Sequence, residues 1–339
     1  MIDLRSDTVT RPTSAMLDAM MRARVGDDVF GEDESVNALQ TKLAELFGME
    51  AGLFCPTGTM TNQIAIKVHT QPGEEVICDQ VAHIYLNEGG GIAFNSGASV
   101  RLLRGDNGRF TAEQVRENIN RRDDAHQPVT RLVAIENTVN RGGGCCWDFS
   151  EIKRIREVCT EQGLAFHLDG ARLFNALVAR GETPRQYGEA FDTISICLSK
   201  GLGTPSGSVL LGRKEHIKKA HRFRKVLGGG WRQAGYLAAA GLHALDHHVE
   251  RLKEDHANAK VLERELQSLR YVTGVLPVET NIVIFKLAPG VSPEGFLAHL
   301  KKHDIRAAGF GSQMIRVVFH LDVASSHLEP IVAALRSFA

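Results

Sequence analysis

Val36, Leu39, Leu43, Leu46 and Phe47 recur at the three- and four-residue spacing that places apolar side chains on one helical face, so the pattern predicts a surface helix over 33–48 that ends at Gly48. A short apolar run, Leu53-Phe54-Cys55, enters Pro56-Thr57-Gly58-Thr59, and helical spacing resumes through Ile64, Ala65 and Val68: strand, tight turn, helix. Apolar runs return at 75–78, 100–103, 131–135, 165–168 and 193–198, mostly separated by helical stretches. A Thr111/Gln114 capping box is expected to open one of these helices and Gly163 to close another. This alternation predicts an α/β fold with a mainly parallel sheet covered by helices, though not the order of its strands. Leu237, Leu242, Leu245, Val249, Leu252, Leu262 and Leu266 predict a long helical stretch over 235–269 that bridges two domains. Strands at 281–287 and 314–319, helices at 292–303 and from a Ser326/Glu329 capping box onward, then make a small α+β domain.

The chain has 339 residues, long enough to bury a sizeable core in one large or two moderate domains. Its 40 Lys and Arg balance 40 Asp and Glu, which argues against chain-wide attraction to nucleic acid or anionic membrane and leaves a small-molecule site as the starting point. Cys55, Cys78, Cys145, Cys146, Cys159 and Cys197 include no Cys-x-x-Cys spacing, so buried free thiols are expected rather than a metal or redox centre. Residues 1–12 are polar and no apolar run is long enough to span a bilayer; the expected setting is the reducing cytoplasm.

Three segments carry candidate chemistry. In Ser195-Ile196-Cys197-Leu198-Ser199-Lys200-Gly201 an apolar strand ends at a lysine followed by glycines, and an amine held poorly solvated there can form a Schiff base with a carbonyl compound. Phe166-His167-Leu168-Asp169-Gly170 puts an acid at a strand's carboxyl end, where a carboxylate could keep a pyridine nitrogen protonated. Thr57-Gly58-Thr59 brings helix-start N–H groups and hydroxyls together, a fit for phosphate. Each has a plainer alternative: Lys200 as the strand's exit to solvent, the other two as ordinary helix caps. Gly201-x-Gly203-x-x-x-Gly207 misses the dinucleotide spacing. The joint order of phosphate turn, acid and lysine, each at a strand end, describes a cofactor pocket.

Four segments, Asp3-Leu4-Arg5-Ser6-Asp7-Thr8-Val9-Thr10, Val25-Gly26-Asp27-Asp28-Val29-Phe30-Gly31-Glu32-Asp33, His167-Leu168-Asp169-Gly170-Ala171-Arg172-Leu173-Phe174-Asn175-Ala176 and Leu198-Ser199-Lys200-Gly201-Leu202-Gly203, strongly resemble the L-threonine aldolases, pyridoxal 5'-phosphate enzymes of fold type I. The likeness runs from Ile2 to the final helix. It implies a seven-stranded, mainly parallel sheet in a large domain over 16–245, an N-terminal arm over 1–15 that contributes to the active site, and a small domain over 246–339. It implies further that Lys200 carries the cofactor, that Asp169 pairs with the pyridine nitrogen, and that Gly58 and Thr59 hold the phosphate. His83 would stack on the ring, Ser6, Arg172 and Arg316 would bind the substrate carboxylate with Arg172 also near the cofactor, and Arg232 would approach the phosphate across a dimer interface. His126 matches a second active-site histidine, although its own context, Asp123-Asp124-Ala125-His126-Gln127-Pro128, reads as a polar loop.

The implied reaction splits L-threonine, L-allo-threonine and related β-hydroxy-α-amino acids into glycine and an aldehyde, with His83 or His126 as the base, in a homodimer or homotetramer. The sequence departs from the family at Val139, where histidine is common, and in the stretch Gly142-Gly143-Gly144-Cys145-Cys146, which leaves substrate choice open; Thr204-Pro205-Ser206 also differs slightly. Rival readings are β-elimination or transamination on the same cofactor, and a cofactor-binding regulator, for which no partner-binding module is visible.

Overall fold

The computed structural model describes residues 1–338. The chain opens with β1 (Ile2–Asp3), then lays down β2 (Ala51–Cys55), β3 (Glu74–Asp79), β4 (Ser99–Leu103), β5 (Val129–Glu136), β6 (Ala165–Gly170), β7 (Thr193–Cys197) and β8 (Ser208–Gly212). These last seven form one sheet in the order β2-β8-β7-β6-β5-β3-β4. All neighbours pair in parallel except β8, which runs antiparallel to both β2 and β7. The α/β expectation with a mainly parallel seven-stranded sheet matches this architecture. The inner strands are buried along nearly their whole length, so helices must cover both faces and the apolar runs are continuous rather than alternating.

Local signals mark helix ends as expected. Asp33 caps helix Glu34–Phe47 by accepting from Val36 N at 3.0 Å, and Gly48 leaves it at φ +65°. The Thr111/Gln114 box opens Ala112–Glu117. Two expectations need correction. The helical stretch over 235–269 breaks into Gly235–His247 and Leu252–Gln267, because the buried His248 ring bonds the Leu202 carbonyl at 2.7 Å while apolar spacing continues through the turn and hides it. The last helix, Leu328–Arg336, is not opened by Ser326 and Glu329; a 3-10 turn over Ser325–His327 precedes it, and Ala324 N donates to the His327 ring.

Beyond the first sheet come β9 (Val272–Val275), β10 (Ile282–Leu287), β11 (Ile305–Arg306), β12 (Ala308–Gly309) and β13 (Met314–Val318). An antiparallel sheet of order β12-β13-β10-β9 packs Val283, Phe285, Ile315 and Val317 against Leu262, Leu266, Phe296 and Leu300 in a second core. Leu252 belongs to the first core and Ala259 to the second. β1 pairs with β11, Val318 N donates to Leu4 O at 2.9 Å, and Leu4 is buried in the second core, so the N-terminal arm is tied to the small sheet and delivers Ser6 and Asp7 across the large one.

In the large sheet β3 connects outward to β4 whereas β5 leads the other way to β6. The crevice outside the carboxyl ends of β3 and β5 is therefore the topological switch point where such sheets bind ligands. Glu136, Asp169 and Ser195 stand in register there. Asp33 is fully buried and also accepts from Gly26 N and Gly235 N. Asp33→Ala is therefore expected to cost on the order of 2–3 kcal/mol, through the lost cap and the unpaired N–H groups. An unchanged urea midpoint would contradict this account.

Candidate active site

Asp169 ends β6 almost completely buried. Its Oδ1 accepts from Ala171 N at 3.1 Å, while Oδ2 is buried without a partner. An orphaned carboxylate oxygen is costly unless a donor reaches it, so the position asks for a cationic or N–H-bearing group. Lys200 follows β7, half-buried, at the head of a tight turn in which Gly203 N donates to Lys200 O at 2.8 Å. Gly203 takes φ +78° there, and a Cβ would meet the Leu321 side chain at 2.7 Å, so this turn requires glycine.

Helix Gly58–His69 begins beside β7. Thr57 caps it by accepting from Met60 N at 3.1 Å, and Thr61 N reaches Thr57 O, which leaves the N–H groups of Gly58 and Thr59 without a protein acceptor. Ser208 Oγ, buried and also unpartnered, lies 3.5 Å from where a Gly58 Cβ would stand. Free N–H groups, a helix N-terminus and an unpaired hydroxyl together suit a phosphate. With the orphaned Asp169 oxygen, they fit pyridoxal phosphate.

A cavity of about 290 Å³ is lined by Ser6, His83, Arg172, Lys200 and Arg316, with Ala171, two residues after Asp169, in its wall. Asp7, fully buried, grips Arg172 with two bonds of 2.7 Å, to Nε and Nη2. Although burial pushes its carboxyl up, Arg172 outweighs burial and brings it to about 2, so Asp7 stays charged. The pair fixes the guanidinium plane and uses two of its N–H groups. Arg316, on β13, donates to Asn140 Oδ1 at 2.8 Å and Arg5 O at 3.1 Å, and lies over the Phe310 ring at 4.9 Å. Burial, then the nearby Arg172 and Arg141, lower its pKa to about 10. Arg316 therefore joins large domain, arm and small sheet around one anion-binding corner.

His83 starts the short helix after β3, and its backbone N donates to Glu136 Oε2 at 3.0 Å. Burial lowers the pKa of its ring, partly offset by Asp169. Burial, then Asp169, raises Glu136 to about 7 and Glu88 to about 8, as expected when several carboxyls share one dry pocket.

Of the residues named from the sequence, Gly58, Thr59 and Asp169 are not among those that line the cavity, and two others lie at the surface of their own chain. The His126 side chain is 96% exposed on a loop and bonds Asp124 at 3.0 Å; Arg232 is exposed and pairs with Asp27 at 3.1 Å. Conversely, Asp7, Glu88, Glu136 and Asn140 have site contacts that the sequence reading did not assign. Asp7 stood inside a quoted motif and Asn140 beside the departure at Val139, but only folding reveals whom they touch; Glu88 and Glu136 carried no local signal.

A profile of the β-eliminating lyase family matches residues 3–289. The low-specificity L-threonine aldolase of Escherichia coli K12 is 43% identical over 342 aligned positions, covering 100% of this chain and 99% of the relative. The low-specificity L-threonine aldolase of Saccharomyces cerevisiae is 39% identical, covering 98% and 85%. A threonine aldolase structure from Leishmania major shares the fold at TM-score 0.86 and 22% identity over 99% of both chains. A putative L-allo-threonine aldolase structure from Listeria monocytogenes does so at 0.80 and 20%, over 98% and 95%. The chain therefore belongs to the β-eliminating lyase family, among the threonine aldolases that work with pyridoxal phosphate.

Proposed function

We propose that this protein is a pyridoxal-phosphate-dependent aldehyde-lyase that cleaves L-threonine, L-allo-threonine and related β-hydroxy-α-amino acids to glycine and an aldehyde. The observation that carries this reading is the buried, unpartnered Asp169 oxygen, together with a cavity lined by Lys200, Arg172 and Arg316. When bound, the cofactor supplies a carbonyl for amines and a protonated ring that accepts the electron pair of the broken Cα–Cβ bond. With the cofactor in place, Asp169 would keep that ring nitrogen protonated and Lys200 would anchor the group through Nζ. Gly58 and Thr59 donate N–H groups to the phosphate.

Arg316, the remaining N–H groups of Arg172 and the Ser6 hydroxyl hold the substrate carboxylate, which would orient the Cα–Cβ bond for cleavage. His83 stacks on the cofactor and accepts the β-hydroxyl proton; its position on the cavity wall favours it over His126 as the base within one chain. We further propose a homodimer or homotetramer in which Arg232 of one subunit, and His126, serve a neighbouring site. Exposed apolar side chains, Phe30 at 74%, Phe94 at 89% and Val226 at 83%, support such assembly. The division at 1–15, 16–245 and 246–339 is supported by the two cores, and the cytoplasm by six free buried cysteines; among the described residues no helix is long and apolar enough to cross a membrane.

The test is product analysis with an absorbance scan. Purified protein should release glycine from L-threonine and show an imine band that Lys200→Ala abolishes together with turnover. Ammonia and pyruvate from serine, with no glycine from threonine, would instead favour β-elimination. Asp169→Asn is expected to lower kcat by about 10²–10³-fold, the scale of a lost preorganised charge. Because burial disfavours the protonated His83 ring, the acid limb of kcat/KM should lie below the ordinary histidine range; a limb above that range contradicts the assignment of the base.

A further inference from the structure

Behind the proposed base lies a buried polar array that the reaction described above does not use. Glu88, whose side chain is 0% exposed, places Oε1 3.9 Å from His83 Nε2. On the opposite side of the ring, His83 Nδ1 lies 3.5 Å from the Asn87 amide nitrogen, so the two ring nitrogens face different chemistry.

The orientation of Glu88 is imposed from several directions. Its Oε1 accepts from Asn62 Nδ2 at 2.9 Å and its Oε2 from Gln63 Nε2 at 2.6 Å. Gln63 cannot turn its amide round, because Gln63 Oε1 already accepts from Asn95 Nδ2 at 3.1 Å. Gly91 leaves the space this requires: a Cβ there would stand 2.5 Å from Gln63 Cδ. Asn62 is fixed in the same sense, since its Oδ1 faces His167 Nε2 at 3.2 Å. Burial keeps His167 neutral by lowering its pKa to about 4; its Nδ1 lies 2.9 Å from the Thr193 hydroxyl and 3.2 Å from the Thr193 carbonyl, and His69 Nε2 contacts the same hydroxyl at 3.1 Å. Every amide in the array thus turns a donor toward Glu88 and leaves the carboxyl facing one further partner, His83.

We propose that Glu88 is a positioning residue: it accepts the Nε2 proton of the His83 imidazole through Oε1, and so leaves Nδ1 as the proton acceptor. The separation of 3.9 Å is an electrostatic contact rather than a hydrogen bond, and contacts of this kind shorten when substrate closes the site. The other groups that face His83 are Asp169 below, Lys200 and Arg172 across the cavity, and Glu136 at its backbone N–H. None of these is shown against Nε2. This inference rests on the aldolase reading only for the identity of the proton that Nδ1 takes.

The test uses the cofactor-loaded protein labelled with 15N-histidine, His83→Asn serving to assign the ring signals. Wild type should show His83 protonated on Nε2, and Glu88→Gln should shift it toward a mixture of tautomers. In the same variant kcat should fall about 10²-fold, the lower range for a positioned base, with KM near wild type. Glu88→Asp, which keeps a carboxyl one methylene further from the ring, should lie between the two and carries the test should Glu88→Gln not fold. An unchanged tautomer in the folded variants overturns the proposal, as does a changed tautomer with kcat unchanged. Absence of glycine release by wild type, with the tautomer result intact, would instead count against the aldolase reading alone.

Discussion

A carboxylate buried at the end of a parallel strand with one oxygen unpaired is the constraint around which this molecule is arranged. Taking Asp169 out of water without a complete set of partners costs several kcal/mol, more than most single contacts return. The fold tolerates that cost because the strand register leaves no choice: Glu136, Asp169 and Ser195 stand side by side at the switch point of the sheet, and the turn after β7 brings Lys200 over them. A protonated nitrogen brought against Oδ2 would offset that cost. Binding and folding are thereby linked.

The same economy of charge governs the rim. Breaking a buried ion pair by removing one partner costs about 3–5 kcal/mol, whereas the intact pair adds little net stability. Asp7 and Arg172 are thus better understood as a clamp than as a source of stability. Asp7 comes from the arm, which pairs with β11 and bonds β13 of the small sheet, while Arg172 follows β6 of the large one. Asn281 reinforces the clamp from the small domain at 3.4 Å, and Thr280 bonds Gly144 O at 2.7 Å. Three parts of the chain far apart in sequence must be correctly placed before the carboxylate-binding corner exists.

Clustering of carboxyls explains why acids and bases can share so small a space. Glu136 and Glu88 rise toward neutrality because burial and Asp169 both oppose their ionisation, so the pocket avoids three full negative charges. His83, lowered by burial, remains a neutral ring that can stack and accept a proton. The environment, not the residue type, assigns these roles.

The sequence by itself determined the class of fold and the ends of its strands and helices. Periodicity, caps such as Asp33 and Thr111, and glycines such as Gly48 and Gly163 act over a few residues and are legible wherever they stand. It also pointed to Lys200, Asp169 and the turn at Gly58, since chemistry placed at strand ends leaves a local mark. The strand order and the antiparallel β8 were decided by tertiary structure, as was the break at His248, which depends on a carbonyl 46 residues away. So were the pairing of Asp7 with Arg172, the setting of Glu88 beside His83, and the exposure of His126 and Arg232 away from the cavity of their own chain. The physical reason is the same throughout: a side chain's propensity is carried by its neighbours in sequence, but its partner, its burial and therefore its charge state are set by residues that only folding brings near.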